Sequence, residues 1–136
     1  MKRFAAFVAA AFFWGTNLAH ADDSAEISQV ALDYVSALSQ GDADKILSMV
    51  LVPDETTENM RGFLQILAKK NAEKAKEKGG FLKARIQTLR LMGNSAEADV
   101  LRIFGYGATD IKPVYLQKEK GQWRWVPTAD DWAQMD

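Results

Sequence analysis

In the segment that begins at Asp23, apolar residues fall at helical spacing. Ile27, Val30, Ala31, Tyr34, Val35 and Leu38 lie three or four positions apart and trace one stripe. Asp23, followed three residues later by Glu26, resembles a capping box and predicts a helix start there. Gly41 ends that helix, and Asp42 is placed to cap a short second one carrying Ile46, Leu47 and Val50. Pro53 interrupts the pattern. A third helix is predicted from about Asp54 or Thr56, with Met60, Phe63, Leu64, Leu67 and Ala68 on one side, and Gly79 and Gly80 stop it.

After Gly80 the period changes from helical to alternating, in residues that favour strands: "FLKARIQTLRLM", the turn "GNS", then "AEADVLRIFGYG". A second hairpin, "DIKPVYLQKEKGQWRWVP", turns near Lys120 and Gly121. Helices first and then four strands joined by short turns predict an α+β domain. Its N-terminal helices should cover one face of a four-stranded antiparallel sheet. On the last strand Trp123 and Trp125 share a face, opposite Arg124 and Val126.

The first 21 residues read differently. Lys2 and Arg3 precede the uncharged run "FAAFVAAAFFWG", and "TNLAHA" ends in small residues at Ala19 and Ala21. That is the pattern of a secretory signal peptide. The run stops short of the roughly 20 apolar residues that a membrane span needs. The expected division is therefore a signal peptide at 1–21 and one domain at 22–136, exported to the periplasm or secreted, with no membrane anchor in its mature form. The lone histidine, His20, leaves with the leader. Cleavage removes two of 17 basic residues and none of 18 acidic ones, which takes the net charge from -1 to -3. That balance argues against nucleic acid as a partner. Cysteine is absent, so neither a disulfide nor a lipid-modified cysteine is available, and the core alone must hold the domain.

Three stretches, "VALDYVSALSQGDADKILSMV", "MGNSAEADVLRI" and "VYLQKEKGQWRWV", resemble the nuclear transport factor 2-like superfamily, in particular a small exported bacterial branch whose members largely lack assigned functions. The resemblance spans residues 25 to 127 and rests on core positions, not on a catalytic signature. It implies a curved sheet wrapped against a long helix, a cone with a pocket at its open end. It implies no reaction, because this fold carries isomerases, dehydratases, binding modules and scaffold domains.

Without His20 or cysteine the mature chain cannot build a Ser-His-Asp triad, a thiol nucleophile or a zinc site of His or Cys ligands. No cofactor and no metal site is expected, and no catalytic residue is assigned. Acid–base work would fall to carboxylate, lysine and tyrosine. In related isomerases an Asp base works opposite a tyrosine in an apolar pocket; Tyr34, Tyr106 and Tyr115 are the tyrosines here, with Asp33 and Asp99 as carboxylates. Tyr34 falls in the apolar stripe, where it is either a core residue with a satisfied hydroxyl or a donor to a ligand. Asp33 is one residue off that stripe, and Asp99 falls on the face opposite Ala98 and Val100.

Period-two counting puts Arg102 on the apolar face with Ala98, Val100 and Phe104. A charge there needs a carboxylate, a route to water or an anionic ligand at the cone mouth. Arg85 and Arg90 are weaker candidates for the same role. In "KKNAEKAKEK" the spacing pairs Lys69 with Glu73, and Lys74 with Glu77 or Lys78, as on a solvated helix. "GYG" at 105–107 suits a bend between the hairpins.

The leading expectation is a non-enzymatic binding domain for a small apolar or amphipathic ligand, or for an envelope protein, whose mouth is lined by Tyr34, Arg102, Tyr115 and Trp125. Two alternatives stay open. One is an isomerase- or dehydratase-like enzyme using tyrosine with a carboxylate, and the other an envelope interaction or inhibitor protein with a filled pocket.

Overall fold

The computed structural model describes residues 14–51, 57–128 and 131. The elements are α1 (Trp14–Gln40), α2 (Ala43–Leu47), α3 (Thr57–Glu77), β1 (Phe81–Met92), β2 (Ser95–Phe104), β3 (Thr109–Glu119) and β4 (Gln122–Val126). The four strands form one antiparallel sheet in the order β1-β2-β3-β4. Helices pack on one face of this curved, unclosed sheet, which is the α+β arrangement that the change of period predicts. Part of the predicted leader, residues 1–13, lies outside the described residues, as do Pro53, Asp54 and Thr56.

The start of α1 differs from the prediction. The helix runs from Trp14 without a break at Asp23, and the two carboxylates read as a capping box serve the sheet instead. Asp23 accepts from the Trp123 indole nitrogen and from Lys118, each at 3.1 Å. Glu26 accepts from the Trp123 backbone N–H at 3.0 Å. Asp42 does cap α2, accepting from the Lys45 backbone N–H.

The predicted stripes form the core. Ile27, Ala31, Tyr34, Val35 and Leu38 of α1 meet Met60, Phe63, Leu64, Leu67 and Ala68 of α3, and both pack on Ala98, Val100, Val114, Leu116, Trp123 and Trp125 from the sheet. The β1–β2 register slips between Phe81 and Lys83 and again between Ile86 and Thr88. Each slip adds a residue to β1, which bends that strand and increases its local twist. Lys120 and Gly121 both take positive φ, 51° and 80°, the geometry of a tight hairpin turn matched to strand twist. In "GYG", Gly105 lies so near the Gly79 carbonyl that a β-carbon there would overlap it. The free edge of β4 is covered at one point: Trp125 donates to Met49 and accepts from Leu51, both at 2.8 Å.

Candidate functional site

Strand parity decides what faces the interior. On β2 the even positions Ala96, Ala98, Val100, Arg102 and Phe104 are buried. Pairing places Asp110 opposite Arg102 across the β2–β3 hairpin, so Asp110 and Lys112 face the same way as the buried Val114 and Leu116. α3 lies above them. Asn71, Lys74 and Ala75 from the helix and Lys78 just beyond its end, with Arg102, Phe104, Asp110 and Lys112 from the sheet, line a cleft of about 240 Å³.

At its base Arg102 is almost fully engaged. Nε and Nη2 donate to the two Asp110 oxygens at 2.7 Å each, and Nη1 donates to Ser39 Oγ at 3.2 Å and Asn71 Oδ1 at 3.5 Å. Four of its five N–H groups therefore have protein acceptors. This is the carboxylate-paired form of the sequence reading, and it makes Arg102 part of the floor. Lys78 reaches Asp110 Oδ2 at 3.3 Å, and Lys78 and Arg102 lie 4.9 and 5.5 Å from the Phe104 ring centre, within cation–π range. Lys112 is held by Asp131 at 3.0 Å. The other Asp131 oxygen accepts from the Thr128 backbone N–H and hydroxyl. Lys74 has no ion-pair partner among the described residues, and neither the Lys69–Glu73 nor the Lys74–Glu77 pair expected from spacing closes.

Burial would raise the Asp110 pKa, but the hydrogen bonds and charges of Arg102 and Lys78 outweigh it and hold the carboxyl below the ordinary aspartate value. A carboxyl depressed by folding stabilises fully above its unfolded pKa, near 3.9, and that contribution disappears as pH falls through the lower folded value. Unfolding free energy should therefore drop with acid between about pH 5 and pH 2. In Asp110→Asn this part of the slope should be missing, as denaturant melts across that range will measure.

The four residues expected at the mouth do not come together. Arg102 is in the cleft. Tyr34 and Trp125 are core, 0 and 1% exposed, with rings stacked 4.2 Å apart at 22°. Where a pocket wall was expected they fill the cone, because Trp125 shares the inward parity of Trp123 and lies under α1. The Tyr34 hydroxyl, expected to be satisfied, is buried with no hydrogen-bond partner among the described residues. Burial, and then the Asp131 charge, raise its pKa well above the usual value against the opposing pull of Arg102, so it stays protonated. Tyr115 is 38% exposed on the outer face of the sheet, since its odd position alternates with the buried Val114 and Leu116. Asp33 accepts from Gln29. Asp99, outward as predicted, accepts from Thr88, and Arg90 pairs with Glu97. Asp110 and Lys112 were missed, although counting back from Arg102 through the short "GYG" turn would have placed both. Asp131 falls beyond the last strand, where no period exists to follow.

No protein-family model matches the sequence, and no curated protein matches it. Solved structures do. A protein from Campylobacter jejuni, named as a candidate nuclear transport factor 2-like transpeptidase, superposes with a TM-score of 0.67 at 23% identity, over 74% of this chain and 96% of that one. A designed protein of the same fold gives 0.45 at 18% identity over 78% and 94%. A SEC-C motif containing protein from Rhodopseudomonas palustris gives 0.44 at 15% over 68% and 69%. The last two are too distant to carry an argument, and the first bears on the fold alone.

Proposed function

We propose, for a chain that has the nuclear transport factor 2-like fold, that it is an exported, non-enzymatic binding domain taking a small anionic ligand between α3 and the β2–β3 hairpin. The observation that carries this reading is the charge of the cleft: Lys74, Lys78, Arg102 and Lys112 line it with a single carboxylate, Asp110, in a chain whose net charge is negative. A concave site with an excess of one sign of charge raises the local concentration of the opposite ion. The filled Tyr34–Trp125 layer argues against a purely apolar ligand inside the cone. For an enzyme, Asp131 is the carboxylate whose charge Tyr34 feels. Its oxygens are already committed to Lys112 and Thr128, which leaves it poorly suited to act as a base.

Calorimetric titration of the mature domain with small carboxylates and phosphates should give binding that weakens with added salt. The double variant Lys74→Ala/Lys78→Ala should weaken it about tenfold or more. Binding unchanged in that variant, or none at all, rejects the cleft. The export half rests on the leader pattern. Protein recovered from the periplasm or medium should have the intact mass of a chain beginning at Asp22, and a mass that still includes His20 would sink that half.

A further inference from the structure

We infer that the cleft selects a doubly charged anion, of the phosphate monoester class, over singly charged anions of similar size. This rests on the anion-binding reading above and specifies its ligand. Arg102 is matched by Asp110 through two 2.7 Å bonds, and Lys112 by Asp131, in a pair whose side chains are 12 and 4% exposed. Neither cation is available without breaking an ion pair that is at least partly buried. Lys78 only shares Asp110, at the longer distance of 3.3 Å, and Lys74 has no acidic partner among the described residues. Four positive groups against Asp110 and Asp131 leave two charges uncompensated, and both belong to ammonium groups at the C-terminal end of α3, Lys74 within it and Lys78 just beyond it.

Lys74 and Lys78 are four residues apart on α3 and the residue beyond it, so their side chains rise from the same face at neighbouring positions. Like charges so placed oppose helix formation, and an anion bridging them removes the repulsion. A monoanion would neutralise one and leave the other. A doubly ionised phosphate monoester has three terminal oxygens and matches the charge of both, and each ammonium can give it a short charge-assisted bond. The Phe104 ring beneath Lys78 restrains that side chain before any ligand arrives, which lowers the ordering cost of binding. A cavity of about 240 Å³ limits the part of the ligand that enters to the phosphate and a few attached atoms.

The test uses the mature domain with glycerol phosphate, whose second ionisation lies near pH 6. Between about pH 5 and pH 7 its doubly charged fraction rises about tenfold. Apparent affinity should rise by the same factor. Sulfate, doubly charged throughout, should bind with no such pH dependence, and acetate should bind more weakly than either. Lys74→Gln should lower the affinity for glycerol phosphate and flatten its pH profile, with the melting temperature held; a lysine that only supports the helix would leave the profile unchanged. Affinity that is equal at both pH values, or acetate competing as well as sulfate, overturns the selection for a dianion and leaves general anion binding standing. If no anion binds, both readings fall. Sedimentation with phosphatidate vesicles, sensitive to Lys74→Gln, would assign the monoester to a lipid; binding of glycerol phosphate without it assigns the ligand to solution.

Discussion

Trp125→Ala should cost about 3 to 5 kcal/mol of unfolding free energy, as much as Trp123→Ala, and leave little of the about 5 to 15 kcal/mol that a domain has to lose. Both indoles are buried to within 2% of full enclosure. Trp125 also stacks on Tyr34, and its backbone joins β4 to the segment after α2. Alternation in "GQWRWVP" puts both indoles on one face and does not rank them; the resemblance to the nuclear transport factor 2-like superfamily implies instead that Trp123, just after the glycine turn, is structural and that Trp125, further along the strand, is a pocket wall whose loss costs less. Denaturant melts of both variants, followed by circular dichroism, separate the two rankings. A Trp125→Ala chain within about 1 kcal/mol of the parent, well below the usual cost of such a cavity, would mean that the cone is open at that point after all. Trp125→Phe, which keeps a ring against Tyr34, should retain most of the stability.

Arg102→Met is expected to destabilise by about 3 kcal/mol. The substitution preserves bulk beside Phe104 but strands Asp110, Ser39 and Asn71, which share the guanidinium. Partial exposure of Asp110 and its contact with Lys78 keep the loss at the low end of what breaking a buried pair costs. Adding Asp110→Asn to Arg102→Met should recover part of it, because the double variant no longer holds a carboxylate facing an apolar side chain. Losses that simply add in the double variant would show that the two residues are not coupled, and would remove Arg102 as the floor of the cleft.

The fold was legible in the sequence because its two halves have different periods. Stripes at three and four spacing up to Leu67 and Ala68, and alternation from Phe81 onward, each point to one packing face. Arg102 was legible for the same reason, being a charge at an inward parity. The rest of the site depends on pairing. Asp110 meets Arg102 only because a short turn at 105–108 sets the β2–β3 register, and Lys74 and Lys78 read as ordinary solvated lysines until α3 is laid over that hairpin. Tyr115 shows the opposite failure, where a residue type suited to a pocket outweighed an odd position that faces outward. Asp23 and Glu26 carry a local helix signal that tertiary partners on β3 and β4 override.

Those last contacts set an order of events along the chain. Asp23 and Trp123 are 100 residues apart, and Glu26 and Lys118 take part in links almost as long; Tyr34 finds its stacking partner in the final strand. Within the sheet, by contrast, every strand pairs with its sequence neighbour, so hairpins form by closing short loops. A chain made from its N-terminus can lay part of the α1 stripe on α3 as soon as that helix emerges, but the part that meets Trp123 and Trp125 stays uncovered until residues near 125 have been synthesised. Completion of the core must wait for β4, and the helix that is made first is closed over last on that side. Shortening the chain by its final strand would leave that part of the stripe exposed, turning a foldable domain into a target for chaperones and proteases.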